Sequence, residues 1–110
     1  MKLCIYCAGG LGKEVFDIAY RVNNIHCNWD EIFFVDDTEG LGDSFYQVKL
    51  FTFDKMLVEF KDDNLQFIIA NGEPVVREKL STKLKENNLK IISLIDPLAS
   101  ISPSAIIGDG

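Results

Sequence analysis

The chain has 110 residues, the size of one small domain, and its composition is that of an ordinary globular protein. Its 17 acidic and 11 basic residues give a net charge of −6, which argues against a nucleic-acid partner, because phosphate backbones are bound by clustered Lys and Arg. No apolar run approaches the roughly 20 residues that a membrane span requires, so we expect no membrane partner.

The cysteines and the amino terminus favour a cytoplasmic location. Three cysteines is an odd number without the spacing of a disulfide framework, so we expect free thiols in a reducing compartment. The first seven residues lead into glycines and not into a signal-peptide cleavage site.

The first half of the chain predicts two strands and one helix. Residues 3–7 form a short apolar strand, followed by a glycine loop at residues 8–12. A helix is predicted from about residue 12 to residue 23, and its apolar face consists of Val15, Ile18, Ala19 and Val22. Residues 32–35 are continuously apolar, as expected for a strand covered on both faces, and a polar loop follows through residue 42.

The second half predicts two helices and two strands. Thr52 is placed to cap a short helix whose apolar residues are Phe53, Met56, Leu57 and Phe60. Residues 65–70 form a third strand, and Pro74 suits the first position of a helix to about residue 87. The inward residues of this helix are predicted to be Val75, Val76, Leu80 and Leu84. Residues 90–95 form a fourth strand.

Strands that alternate with helices predict an α/β fold, namely a Rossmann-like, doubly wound parallel sheet of about four strands. From residue 96 the pattern changes to Pro turns, small residues and an aliphatic-Gly step, which is how hexapeptide-repeat β-helices begin. We therefore expect a Rossmann-like domain at residues 1–95 and the start of a truncated β-helix at residues 96–110.

Three predicted strand ends carry polar or glycine residues that suit a ligand site. They are the glycine loop, Asp36-Asp37 and Asn71-Gly72. Ligands of doubly wound sheets bind beyond the carboxyl ends of the strands, where these loops converge. The glycine loop and the helix that follows it would hold an anion, and Asp36 would accept hydrogen bonds from a nucleoside. The alternative is that the glycines serve strand–helix packing and the two aspartates form a solvated turn.

Two sharper nucleotide motifs are absent. A G-x-G-x-x-G fingerprint requires glycine at the position of Cys7, so a site for NAD is unsupported. A P-loop requires the same glycine and a Ser or Thr where Glu14 stands. Cys4 and Cys7 are expected to be small core residues of the first strand, His26 to lie in a surface loop, and no metal site is predicted.

Four blocks of the sequence resemble one family. They are residues 5–12, the sequence FFVDD at 33–37, the sequence FIIANG at 67–72 with Arg77, and the sequence SISPSA at 100–105. They resemble the N-terminal domain of the bacterial sugar acyltransferases related to sialic-acid O-acetyltransferase and the UDP-4-amino-sugar N-acetyltransferases. The resemblance covers essentially the whole chain.

The resemblance implies that this domain binds a nucleotide-sugar, while a C-terminal left-handed β-helix binds acetyl-CoA, trimerises and supplies the catalytic His. No catalytic residue is therefore expected in this chain, and no metal. The substrate-binding residues implied are Gly9, Gly10, Leu11 and Gly12 along the pyrophosphate, Asp36 and Asp37 at the uridine, and Asn71, Gly72 and Arg77 at the far wall.

The chain departs from the family at three places. The family usually has glycine at the position of Cys7 and often has His at that of Leu11. It commonly has His before the Pro or Ser-Ala step, where this chain has Asp96-Pro97.

The function that these observations favour is that of the UDP-sugar-binding domain of an acetyl-CoA-dependent sugar O- or N-acyltransferase in bacterial surface-glycan biosynthesis. The parent is expected to be a homotrimer, and the 110-residue chain alone an inactive monomer or weak dimer. The alternatives are a regulatory or vestigial domain that binds another nucleotide or an acyl-CoA, and a structural adaptor that binds nothing.

Overall fold

The computed structural model describes residues 1–92, together with the backbone of residues 94–95 and 106–107. The helices are α1 (Gly10–His26), α2 (Phe53–Glu59) and α3 (Pro74–Glu86). The strands are β1 (Lys2–Tyr6), β2 (Glu31–Val35), β3 (Ser44–Phe45), β4 (Val48–Phe51), β5 (Leu65–Ile69), β6 (Lys90–Ile91), β7 (Leu94–Ile95) and β8 (Ile106–Ile107).

Six strands form one sheet in the order β3-β4-β2-β1-β5-β6, and all neighbours are parallel except β3 and β4. Numbered along the chain, the five parallel strands follow the order 3-2-1-4-5, which is that of the Rossmann fold. The chain therefore reverses direction across the sheet between β1 and β5. The predicted Rossmann-like α/β fold is confirmed.

The central strand β1 is apolar on both faces because helices cover both sides of the sheet. Leu3 and Ile5 point to the side of α1, where they pack with Val15 and Ala19. Cys4 and Tyr6 point to the opposite side, where the core includes residues of α2 and α3. Trp29 is also buried on the side of α1.

The caps of α2 and α3 agree with the sequence. Thr52 is the N-cap of α2, and its hydroxyl accepts a hydrogen bond from the amide of Lys55 at 3.4 Å. Pro74 is the first residue of α3, as its fixed φ and missing N–H predict. Helix α1 is longer than expected, so exposed His26 is its last residue and not part of a loop.

Several expectations were wrong. The prediction of one strand at residues 90–95 fails because the ladder with β5 ends at Ile91, and Leu94–Ile95 pairs instead with Ile106–Ile107 in a separate antiparallel sheet. Val75 is exposed, because it lies one residue off the helical stripe of Val76, Leu80 and Leu84 that faces the sheet.

Strands β3 and β4 were not predicted. They are joined by Tyr46 and Gln47, both at positive φ (54° and 60°), as a type I′ hairpin turn requires. This turn lacks the Asn-Gly or Asp-Gly signal that usually marks it, so the hairpin was not recognisable from the sequence. The expected β-helix start lies outside the described residues, apart from the strand at 106–107.

No helix in the described part of the chain is long and apolar enough to cross a membrane.

Candidate functional site

A cleft of about 650 Å³ opens at the carboxyl ends of β1, β2 and β5, where the chain reverses across the sheet. We call it the strand-end cleft. Its lining residues are Tyr6, Cys7, Ala8, Gly9, Gly10, Leu11, Asp36, Asp37, Thr38, Ala70, Asn71, Gly72, Glu73, Val76 and Leu80. A crevice at this place in a doubly wound sheet is where such folds bind their ligands.

The amino end of α1 faces this cleft without a side-chain cap. Gly9 is the N-cap residue and has no side chain with which to cap the first turn. The first hydrogen bond of the helix is donated by the Lys13 amide to the Gly9 carbonyl at 3.0 Å. The amides of Gly10, Leu11 and Gly12 therefore have no partner within the helix. Unpaired N–H groups at the positive end of a helix dipole favour an anion.

The glycines of this loop have different roles. A Cβ on Gly9 or Gly10 would meet no atom within 4 Å, so the fold itself leaves these positions open. A Cβ on Gly12 would lie 2.6 Å from the Cys7 carbonyl oxygen and 3.3 Å from the Phe34 ring. Gly12 therefore lets the first turn of α1 pack closely on the residue after β1 and on β2, and it lies behind the cleft lining.

Cys7 follows β1 and lies outside the strand in which it was expected. Its φ of 94° is a conformation that glycine adopts easily and other residues adopt at a cost. Its amide donates to the Val35 carbonyl at 2.7 Å, and the Asn71 side-chain amide lies 3.8 Å from its sulfur. Burial raises the pKa of the Cys7 thiol, which argues against a reactive thiolate.

Asp36 holds two loops together. Its Oδ2 accepts a hydrogen bond from the Ala8 amide at 2.9 Å, and its Oδ1 accepts one from the Thr38 amide at 2.9 Å. An ionised carboxylate offers about four lone-pair sites, so each oxygen retains capacity for a further donor. Asp36 can therefore position the glycine loop and still accept hydrogen bonds from a ligand.

Asp37 accepts more hydrogen bonds than Asp36 does. Its Oδ2 accepts hydrogen bonds from the Tyr6 hydroxyl at 2.8 Å and from the Lys83 ammonium at 3.1 Å, while its Oδ1 accepts the Phe53 amide at 2.8 Å. Burial acts to raise the pKa of Asp37, but these hydrogen bonds outweigh it and leave the pKa below its usual value. Burial and the Asp37 hydrogen bond raise the pKa of Tyr6.

The third wall of the cleft is the turn between β5 and α3. The Asn71 side-chain oxygen accepts a hydrogen bond from the Glu73 amide at 2.9 Å, which fixes this turn. Arg77 was expected to complete the wall, but its guanidinium donates to the Ile69 and Asn71 carbonyls, both at 3.2 Å. Arg77 supports the turn from behind and does not line the cleft.

The structure thus brings together seven of the nine residues suggested by the sequence. They are Gly9, Gly10, Leu11, Asp36, Asp37, Asn71 and Gly72. Thr38, Glu73 and Lys83 were not among the residues predicted from the sequence. Thr38 and Glu73 directly follow the strand-end motifs and could have been included, whereas nothing local in the sequence marks Lys83, which lies 46 positions after Asp37.

The cleft lining is acidic. Asp36, Asp37 and Glu73 contribute carboxylates, and no Lys, Arg or His is found among the described residues that line the cleft. An anionic ligand would therefore depend on backbone amides. Within residues 1–92, no group of three or more His, Cys, Asp or Glu side chains is arranged to hold a metal ion.

The comparison with known families agrees with this architecture. The family model of the PglD N-terminal domain matches residues 2–84, which is more than half of the chain. No solved structure matches the chain. The chain therefore belongs to the PglD N-terminal domain family, which is the N-terminal, nucleotide-sugar-binding domain of PglD-type sugar acetyltransferases.

Proposed function

We propose that the chain binds a UDP-sugar in the strand-end cleft and presents the sugar for acetylation. The observation that carries this proposal is the uncapped amino end of α1, a helix of 17 residues, at the crevice where three strand ends meet. The described lining supplies no cationic side chain, so the pyrophosphate would be held by the amides of Gly10 and Leu11 and by the helix dipole.

The other cleft residues would then have distinct roles. Gly9 and Gly10 leave open space through which phosphate oxygens can approach the backbone. The spare lone pairs of Asp36 would accept ribose hydroxyls, as an acidic residue at the end of the second strand does in nucleotide-binding sheets. Asn71 and Gly72 would form the opposite wall, with Arg77 and Gly12 supporting the loops from behind.

In the whole enzyme, an acetyl group would pass from acetyl-CoA to an amine or hydroxyl of the bound sugar, with a His as general base. The resemblance noted above supports acetyl-CoA as the second substrate, a trimer built through a β-helix, and a role in bacterial surface-glycan synthesis. The free cysteines favour a reducing, cytoplasmic compartment. The one His of this chain, His26, is the last residue of α1 and does not line the cleft. We therefore propose no catalytic residue here.

A thermal-shift measurement tests the ligand class. At a hundredfold excess over its dissociation constant, a ligand stabilises the folded state by about 2.7 kcal/mol, which raises Tm by about 10 °C in a domain of this size. We expect UDP to raise Tm and NAD, at the same concentration, to leave it unchanged. A shift with NAD but not with UDP would refute the assignment.

A further inference from the structure

The chain contains one Asn-Gly step, Asn71-Gly72, and both residues line the strand-end cleft in the turn between β5 and α3. In such a step the backbone nitrogen of the glycine can attack the side-chain carbonyl carbon of the asparagine, because glycine has no Cβ to hinder the approach. The asparagine side chain then loses ammonia. The groups around Asn71 decide whether the fold suppresses this reaction or promotes it.

The attacking nitrogen, the amide of Gly72, is accessible. Gly72 is exposed, and its N–H donates to no other group in the described part of the chain. The carbonyl of the same peptide unit belongs to Asn71 and accepts a hydrogen bond from the Arg77 guanidinium at 3.2 Å. When the Gly72 amide loses its proton, negative charge is shared with this oxygen, so the fixed cation favours the deprotonated, nucleophilic form.

The side-chain carbonyl under attack is polarised. Oδ1 of Asn71 accepts a hydrogen bond from the Glu73 amide at 2.9 Å. As the nitrogen adds to the carbonyl carbon, this oxygen gains negative charge, and a donor that is already in place stabilises it, as in an oxyanion hole. The same hydrogen bond restricts the rotation of the side chain, which lowers the entropy lost on the way to the cyclic intermediate.

The leaving group has a proton source. Nδ2 of Asn71 lies 3.8 Å from Sγ of Cys7. Burial raises the pKa of the Cys7 thiol, so the sulfur keeps its proton at neutral pH. A protonated thiol at this position can donate to the departing nitrogen, which then leaves as ammonia.

We propose that Asn71 is a deamidation site whose reaction the fold of the domain promotes. The Gly72 nitrogen gives its proton to water and bonds to Cγ of Asn71. The bond between Cγ and Nδ2 breaks, and ammonia leaves with a proton from Cys7, which recovers one from water. A second water opens the cyclic imide, so that aspartate or isoaspartate stands at position 71. The reaction needs no oxidant and no co-reactant other than water.

The product changes the charge of the strand-end cleft. Asn71 lines it together with Asp36, Asp37 and Glu73, and the described lining has no cationic side chain. A further carboxylate therefore repels an anionic ligand. This consequence rests on the proposed function, because it assumes that the cleft binds a nucleoside diphosphate sugar. Deamidation would then lower the affinity for that ligand as the protein ages.

Mass spectrometry of the folded 110-residue chain, incubated in mildly alkaline buffer and then digested, measures the conversion at Asn71. The reference is a synthetic peptide of residues 68–75, which has the same Asn-Gly step without the fold. We expect Asn71 to react faster in the folded chain than in the peptide. Gly72→Ala should slow the reaction strongly, although a Cβ on Gly72 meets no atom within 4 Å. A slower reaction in the folded chain than in the peptide would overturn the proposal.

Arg77→Met tests the assistance from the guanidinium. Loss of a hydrogen bond to a charged group should slow the reaction in the folded chain about tenfold. Lys79→Met removes a positive charge from an exposed position of the same helix and should leave the rate unchanged. Equal rates in the two variants would show that Arg77 does not promote the reaction. If circular dichroism shows that Arg77→Met is unfolded, the comparison with the peptide decides alone.

Asn71→Asp reproduces the charge of the product. UDP should bind this variant about tenfold more weakly than the wild type. Val58→Asp adds the same charge at a side chain that is 75% exposed and does not line the cleft, and should bind UDP as the wild type does. Equal affinities of Asn71→Asp and the wild type would refute the effect on the cleft. If the wild type does not bind UDP, the proposed function is wrong, whereas the mass measurement still decides whether the fold promotes deamidation.

Discussion

The ammonium of Lys83 lies 3.1 Å from Oδ2 of Asp37, which joins the last turn of α3 to the loop that follows β2. Lys83 also donates to the Tyr6 hydroxyl at 3.0 Å, and its nitrogen lies 4.3 Å from the centre of the Phe53 ring. One side chain from the far end of the sequence therefore helps to fix the floor of the strand-end cleft.

Asp37 should make the stability of the domain depend on acid pH. Its folded-state pKa is lowered, so its contribution is complete above about pH 5 and is lost as the pH falls below about 4, through the folded pKa. In Asp37→Asn this acid-dependent part should be missing. The variant should also be about 1–3 kcal/mol less stable at pH 7, because several donors lose a charged acceptor.

Urea denaturation at intervals from pH 3 to pH 7 measures this effect. Asp62→Asn serves as the control, since it makes the same charge change in an exposed turn after α2. It should keep the acid dependence of the wild-type protein. Equal pH profiles for Asp37→Asn and the wild type would contradict the role given to Asp37.

The pair of Lys83 and Asp37 should show modest energetic coupling. The two side chains are 39% and 46% exposed, so solvent screens their attraction, and such pairs usually contribute about 0.2–1 kcal/mol. A double-mutant cycle with Lys83→Met and Asp37→Asn isolates the interaction, because Met retains an apolar stem over Phe53. Additive effects of the two substitutions on the free energy of unfolding would show that the pair is not coupled.

Two alanine substitutions should distinguish a glycine that the ligand needs from a glycine that the fold needs. Gly12→Ala places Cβ 2.6 Å from the Cys7 carbonyl oxygen, so it should destabilise the domain by about 1–3 kcal/mol. Gly10→Ala meets no atom within 4 Å and should change stability by no more than about 0.5 kcal/mol.

The larger variant Gly10→Val should then abolish the rise in Tm caused by UDP while the domain remains folded, because its side chain occupies the space beside the helix amides. Circular dichroism checks the fold, and the thermal shift checks binding. An undiminished shift in Gly10→Val would place the phosphates elsewhere.

Cys7→Gly should stabilise the domain despite removing a side chain. A non-glycine residue at a φ of 94° costs about 1–3 kcal/mol, and the added freedom of glycine in the unfolded chain offsets about 0.5–1 kcal/mol of that gain. Cys7→Ala keeps the strained backbone and should not gain stability. Urea unfolding under reducing conditions compares them, and equal stability of the two variants would show that the backbone at residue 7 is unstrained.

The sequence was sufficient for the parts of the fold that local chemistry determines. Residues 32–35 and 65–70 were recognisable as strands because residues 32–35 and 67–70 are continuously apolar, and Thr52 and Pro74 marked helix starts because their side chains suit those positions. The strand-end motifs meet at one cleft because carboxyl ends of parallel strands share one edge of the sheet.

Long-range contacts and unusual turns could not be predicted in this way. The Tyr46-Gln47 turn is stabilised from α1, where Asp17 accepts a hydrogen bond from the Tyr46 hydroxyl at 3.2 Å, and not by residues that favour positive φ. Asp37 was expected to face a uridine, but its bonds to Lys83, Tyr6 and Phe53 depend on how α2 and α3 pack. The motif located the residue without revealing these partners.

The carboxylate of Asp36 accepts hydrogen bonds from the amides of both Ala8 and Thr38. These two bonds limit which residues of the cleft can change in relatives of the domain. A change at Asp36 would release both the glycine loop and the loop after β2, so it would alter two walls of the strand-end cleft together. Leu11, which lines the strand-end cleft, carries no such double constraint. New ligand preferences should therefore arise first from substitutions at positions such as Leu11, while Asp36 is retained because it positions both loops.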